Sequence, residues 1–207
     1  MMYALQKKYE KNVLLIDLEG NEITYKDFAT SQTNFQEHIN SRSVILVLCE
    51  STSGAVMGIL SFLMNGQIPL LVESNLDMDF IKALITRYQI EYIFLNKEMR
   101  LNFPDLDEVT DLHDFILLKT DLHGNADPHQ DLALLLNTSG STGSTKLVRL
   151  SYKNILSNGY SIIEYLGLNE RDRAISTLPW SYSYGFSILN SHFLAGASLV
   201  LTENSVI

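Results

Sequence analysis

One segment of this 207-residue chain carries residue types suited to handling a polyphosphate. The apolar run 131–136 leads straight into Asn137-Thr-Ser-Gly-Ser-Thr-Gly-Ser-Thr-Lys146. Every residue from Thr138 to Thr145 is glycine or bears a hydroxyl. Gly140 and Gly143 can take positive φ and let backbone N–H groups come close to a ligand. Successive N–H groups in such a turn form an anion-binding concavity. The hydroxyls, among them those of Thr138, Ser139, Ser141 and Thr142, add neutral donors, and Lys146 adds a full charge. Near a protein surface that charge is worth about 4 kcal/mol toward a phosphate about 4 Å away, before desolvation. A flexible Ser/Gly linker has the same composition, but a linker does not usually grow out of an apolar strand and run on into an amphipathic helix. A Walker P-loop, G-x-x-x-x-G-K-[ST], fails at two fixed positions. Counting from Gly140, its second glycine falls on Thr145, and Leu147 stands where the magnesium-binding Ser/Thr belongs.

The elements that must position this loop alternate between the two periods. Residues 13–17 read as a short strand. Thr24 and Asp27 form a capping-box pattern, predicting a helix to about Ile39. The run SVILVLC, 43–49, suits a strand buried on both faces of a parallel sheet. Ser51 or Ser53 can cap the next helix, which ends near Asn65-Gly66, and 68–73 is a further strand. Met78, Ile81, Leu84, Ile85 and Tyr88 stand at helical spacing, and 91–95 returns to β. The signal weakens over 100–129, where only 115–119 reads as a strand; a sub-structure boundary is expected near 100–130, and the acidic run 105–114 reads as a solvated loop. After the glycine–hydroxyl loop come a helix at 151–166, a strand at 174–178, a helix at 185–194 and a strand at 197–201. The pattern predicts an α/β fold, mostly parallel sheets layered with helices.

Composition narrows the function class. The net charge of −9 argues against a nucleic-acid partner, which needs basic clusters to displace counterions. None of the five histidines stands in a metal-ligand spacing, so no metal site is predicted. Cys49 is the sole cysteine, which rules out a disulfide framework and fits a reducing, cytoplasmic setting. The N-terminal segment lacks the apolar core of a secretory signal. The most apolar stretch, 54–72, is interrupted by Asn65, Gly66, Gln67 and Pro69, so no membrane span is expected.

Thr138-Ser-Gly-Ser-Thr-Gly-Ser-Thr-Lys146 resembles the T-S-G-[ST]-T-G-x-P-K signature of the adenylate-forming superfamily, which includes acyl-CoA synthetases, luciferases and peptide-synthetase adenylation domains. The flanks extend the resemblance over nearly the whole chain. Val148-Arg-Leu-Ser-Tyr-Lys-Asn-Ile155 is similar to V-x-L-[ST]-H-x-N-[LI], and Leu178-Pro-Trp-Ser-Tyr-Ser-Tyr-Gly185 to L-P-x-x-H-x-x-G. Gly196-Ala-Ser-Leu-Val200 matches G-A-x-x-V, and Ile23-Thr-Tyr-Lys-Asp-Phe28 looks like L-T-Y-x-E-L. The chain departs from the family pattern at four places: Thr145 replaces a proline, Leu147 a glycine, and Tyr152 and Tyr182 two histidines.

The resemblance implies that residues 1–207 form the N-terminal portion of an AMP-binding domain, with the C-terminal subdomain and its catalytic lysine absent. It implies ATP-dependent activation of a carboxylic acid as an acyl-adenylate, with pyrophosphate released and the acyl group passed to a CoA or carrier-protein thiol. Thr138, Ser139, Gly140, Ser141, Thr142, Gly143 and Lys146 would hold the ATP phosphates. Tyr182, Tyr184 and Gly185 are candidates for the acyl pocket, with core packing the competing role for the tyrosines; Trp180 and Phe186 are assigned to the core. Magnesium ligands are expected downstream, and no catalytic residue is assigned within the chain. With those parts missing, little or no adenylation is expected from the chain alone. A non-catalytic module of the same fold, binding a nucleotide or a partner, is the alternative. No aspartate lies between Ser176 and Leu189 where amino-acid-specific members usually carry one, which points to an acid without an α-amino group.

Overall fold

The computed structural model describes residues 7–123, 128–137 and 146–202. Its strands are β1 (Val13–Ile16), β2 (Glu22–Thr24), β3 (Val44–Cys49), β4 (Ile68–Glu73), β5 (Tyr92–Asn96), β6 (Asp107–Leu112), β7 (Phe115–Lys119), β8 (Leu132–Asn137), β9 (Leu147–Ser151), β10 (Arg173–Ser176) and β11 (Ser198–Leu201). Its helices are α1 (Tyr25–Ser31), α2 (Thr33–Gln36), α3 (Ser53–Met64), α4 (Met78–Tyr88), α5 (Tyr152–Leu166) and α6 (Ser183–Ala195), with a 3₁₀ turn at Lys97–Asn102. Seven strands form one sheet in the order β6-β7-β5-β3-β4-β8-β9, and four form a second in the order β10-β11-β1-β2. In the large sheet β5, β3, β4 and β8 run parallel, while β6, β7 and β9 join antiparallel at the edges.

The period of 2 along β3 separates two cores. Ile45, Val47 and Cys49 face a cluster that takes in α3, α6 and the small sheet. Leu46 and Leu48 face the other side, with Ile81, Leu84 and Ile85 of α4. All twelve residues of α3 are buried, which is how a helix apolar all round must sit. Among the described residues no helix is long and apolar enough to cross a membrane. Gly58 permits close packing here, because a Cβ at that position would lie 2.1 Å from the Phe94 ring.

The capping box forms as read: the Thr24 side chain accepts from the Asp27 backbone, and Asp27 reaches back to the Thr24 N–H at 2.9 Å. The helix predicted from there to Ile39 is instead divided. The hydroxyls of Thr30, Ser31 and Thr33 donate to the carbonyls of Lys26, Phe28 and Thr30. Such side-chain bonds compete with the helical ladder, and the chain breaks into α1 and α2. The cap of α3 is Thr52 rather than Ser51 or Ser53; Thr52 is the residue in extended backbone, and its hydroxyl accepts from Ala55 N–H. The acidic run read as a solvated loop is largely strand β6. It pairs with β7, sends Leu112 inward and turns its charges outward, where they protect an open sheet edge from further pairing. Strands β2 and β9, absent from the sequence reading, are short edge strands without a clean alternation of buried and exposed residues.

Two polar anchors set how the pieces sit. Arg42, just before β3, donates to Gly66 O at 3.0 Å, Pro128 O at 2.9 Å and His129 O at 3.1 Å, and also to Leu132 O. One guanidinium thus ties the α3–β4 turn to the start of β8. Tyr25 of α1 is fully buried, and its hydroxyl donates to Ala197 O at 2.8 Å while its ring stacks on Phe193 at 5.7 Å. Burial pushes its phenol pKa up.

Tyr25→Phe leaves the buried Ala197 carbonyl without that donor and should lower unfolding stability by about 1–3 kcal/mol, read as a reduced urea midpoint at unchanged slope. Gly58→Ala should cost a similar amount, about 1–3 kcal/mol, by overpacking against Phe94; an unchanged midpoint would show that the Phe94 ring yields freely.

Candidate functional site at the carboxyl ends of the parallel strands

Because β3, β4 and β8 are parallel neighbours, their last residues, Cys49, Glu73 and Asn137, meet at one edge of the large sheet. Open α/β sheets bind ligands outside that edge. The glycine–hydroxyl loop leaves the sheet here. Asn137 lies opposite Leu147 across the β8–β9 pair, so both ends of the loop are pinned side by side at the strand ends. Thr138, Ser139, Gly140, Ser141, Thr142 and Gly143 lie outside the described residues. Lys146 is exposed and immediately precedes β9.

The segment preceding α6 is fastened to the same edge. Trp180 is buried, and its indole N–H donates to Glu50 O, just past β3, at 3.1 Å. Phe186 is also buried, so both aromatics are in the core, as the sequence reading had them. Tyr182 N–H donates to Pro179 O at 3.2 Å, and Tyr182 occupies the N-cap position of α6. A Cβ on Gly185 would stand 2.1 Å from Pro179 O. Glycine there lets the first turn of α6 rest on the backbone of the preceding turn.

Two small cavities flank Glu73. One, about 80 Å³, is lined by Val72, Glu73, Leu76, Asn137, Ser181 and Tyr182. The other, about 180 Å³, takes its walls from Cys49, Glu50, Glu73, Asn75 and Trp180 among others. Tyr182 and Glu73 both line the smaller cavity, and the neighbouring Glu73 carboxylate holds the Tyr182 phenol pKa above its usual range. Asn137 Oδ1 and Ser181 Oγ are buried and have no hydrogen-bond partner among the described residues. The Glu50 carboxylate is engaged, accepting from Asn96 Nδ2 at 2.8 Å. Burial raises the Cys49 thiol pKa well above its ordinary value, which disfavours the reactive thiolate.

The candidate acyl-pocket residues occupy three different settings. Tyr182 borders the small polar cavity. Tyr184, 68% exposed, lines a larger, mostly apolar groove of about 380 Å³ between α5 and α6, with Leu150, Asn154, Ile155 and Ser187. Gly185 is buried. Tyr152, at the other position where the resemblance has histidine, ties α5 to the end of α3 through a bond to Leu63 O at 2.8 Å. The sequence reading assigned no role to Glu73 or Asn137. Both are polar residues closing apolar strands, a signal visible in IPLLVE and LALLLN.

Comparison with known proteins gives this geometry a context. The pattern of the family described as AMP-binding enzyme matches residues 4–206. Tyrocidine synthase 2 of Brevibacillus parabrevis is 24% identical over 174 residues, which cover 83% of this chain and 5% of that protein. The 2-succinylbenzoate–CoA ligase of Bacillus velezensis is 37% identical over 73 residues, 35% of this chain and 15% of the ligase. Among solved structures, ATP-bound MatB from Rhodopseudomonas palustris superposes with a TM-score of 0.80 at 18% identity, covering 97% of this chain and 44% of that one. The Vibrio cholerae adenylation domain AlmE, in complex with glycyl-adenosine-5′-phosphate, superposes with a TM-score of 0.78 at 15% identity, over 98% and 44%. This chain therefore spans a small part of the curated relatives it matches and under half of these solved structures. The fold is that of the N-terminal domain of adenylate-forming enzymes, and the chain belongs to the AMP-binding enzyme family.

Proposed function

We propose that the protein carrying this chain uses ATP to activate a carboxylic acid. The observation that carries the reading is the placement of the glycine–hydroxyl loop: it leaves the carboxyl edge of the parallel strands at Asn137 and returns at Lys146, with its ends paired across β8 and β9. In the reaction a carboxylate oxygen of the acid bonds to the α-phosphorus of ATP as the bond from that phosphorus to the α,β-bridging oxygen breaks. The products are an acyl-adenylate and pyrophosphate. A thiol, of CoA or of a carrier protein, then attacks the acyl carbon as the thiolate and AMP departs.

The residues of this chain act mainly on the leaving side. Negative charge grows on pyrophosphate as it departs, and positioned N–H groups, hydroxyls and a cation stabilise it. Thr138, Ser139, Gly140, Ser141, Thr142, Gly143 and Lys146 supply that set. Magnesium, where bound, would offset part of the charge of the triphosphate. Among the described residues no group of three or more His, Cys, Asp or Glu is placed to hold it, and the resemblance puts its acidic ligand beyond residue 207. The mostly apolar groove bordered by Tyr184 between α5 and α6 is the proposed seat for the body of the acid.

Lys146→Ala should reduce acid-dependent exchange of labelled pyrophosphate into ATP by about 100-fold or more, with the protein still folded by circular dichroism. Unchanged exchange would remove the lysine from the phosphate site.

A further inference from the structure

One wall of the groove assigned to the acid is carried by the start of α6, through Ser183, Tyr184, Phe186 and Ser187. That start rests on the turn before it. Phe186 N–H donates to Tyr182 O at 2.9 Å, and Tyr182 N–H donates to Pro179 O at 3.2 Å. Trp180, in the same turn, is 1% exposed, and its indole N–H donates to Glu50 O at 3.1 Å. The place of the groove wall therefore depends on where the Glu50 carbonyl stands.

Glu50 is the first residue past β3, and the pairing of β3 with β4 ends one position earlier, at Cys49 opposite Glu73. Its side chain supplies a hold that the ladder does not. Glu50 Oε2 accepts from Asn96 Nδ2 at 2.8 Å, and Asp114 Oδ2 accepts from the same nitrogen at 3.4 Å. A primary amide has two N–H donors, one for each carboxylate. Asn96 Oδ1 in turn accepts from Glu98 N–H at 3.0 Å. Asn96 is itself well placed, because it closes β5 and pairs with Phe115 of β7. Asp114 is tied as well: its Oδ1 accepts from Gly54 N–H, in the first turn of α3, at 3.1 Å. The hairpin turn that presents Asp114 puts its neighbour His113 at φ 55°, a left-handed conformation that a non-glycine residue keeps where its surroundings over-determine it. One amide thus joins the ends of β3 and β5 to the β6–β7 turn and the start of α3.

We propose that Asn96 is a positioning residue for the acid groove, holding Glu50 so that Trp180 sets the start of α6 against α5. The proposal rests on the acid-activation reading above, which seats the acid in that groove. Asn96 lines neither the groove nor the two strand-end cavities, so its effect passes through the bonds from Asn96 to Glu50 and from Trp180 to Glu50. Without the amide, the Glu50 and Asp114 carboxylates lose the donor they share, and like charges in one cluster repel. Glu50 then moves away from Asp114 and carries its carbonyl with it, and the indole loses its acceptor. A shift of about 1 Å in a substrate-binding wall is enough to be felt in turnover, even when the substitution lies far from the chemistry.

The test is pyrophosphate exchange by the protein at its native length, using the best-used member of a panel of aliphatic and aromatic monocarboxylic acids. Asn96→Ala should raise the KM for that acid by about tenfold or more and leave the KM for ATP within about twofold. A merely structural role would lower the urea midpoint and the active fraction without moving either KM. Glu50→Gln, which keeps an acceptor for Asn96, should hold the acid KM within about threefold, whereas Glu50→Ala should match Asn96→Ala. Trp180→Phe removes the indole donor at the other end of the same path. It should raise the acid KM in the same way, and it keeps the test open should Asn96→Ala fold poorly. The two substitutions combined should add little to either alone, because they act along one path. An unchanged acid KM in either folded variant would overturn the proposal alone, as would effects that multiply in the double variant. Exchange with no acid of the panel would overturn the acid-activation reading and this inference with it.

Discussion

The complete burial of α3 is the constraint from which the rest of the architecture follows. A helix reading SGAVMGILSFLM has no face to offer water, so apolar surface must cover it on every side. The large sheet covers one side through β3, β4 and β5. The remaining cover comes from a core that joins Phe35 of α2, Leu14 and Leu15 of β1 and Phe193 of α6. That core gathers segments from both ends of the chain: β1 pairs with β11, and Tyr25 reaches the α6–β11 turn. The large sheet supplies the strand ends, and α6 brings the Trp180–Tyr182 turn onto them. The site is a consequence of how one apolar helix is enclosed.

Much of this was legible in the residues. The buried parallel strands β3, β4 and β8 are continuous apolar runs, and such runs have few alternatives once turn signals bound them. Thr24 and Asp27 gave the start of α1 through a local bond. The failures have local causes as well. Hydroxyls at Thr30, Ser31 and Thr33 bonded back to carbonyls and broke a helix that periodicity alone would have continued. β6 was hidden because an edge strand can be acidic, its character set by the edge it protects and by its pairing with β7.

The candidate site was legible in its composition and opaque in its assembly. Residues 138–146 announce phosphate chemistry through glycine, hydroxyl and lysine in one short run. Nothing local in the sequence says that Glu73 and Tyr182 meet, since they lie on different elements joined through the sheet edge. Tyr182 and Tyr184, two residues apart and read as one wall, border different spaces because one ends a turn and the other begins a helix. Gly185 shows the same limit. Its place in the motif suggested a pocket, and the structure explains the glycine by contact with Pro179.

The account stands most directly on where a nucleotide binds. A crystal structure of the protein with a non-hydrolysable ATP analogue addresses this without any assumption about the acid. The predicted result places the β- and γ-phosphates within hydrogen-bonding reach of residues 138–146, at the carboxyl ends of β4 and β8. A nucleotide seated elsewhere on the molecule, with that edge of the sheet untouched, would contradict the assignment of the loop and the activity built on it.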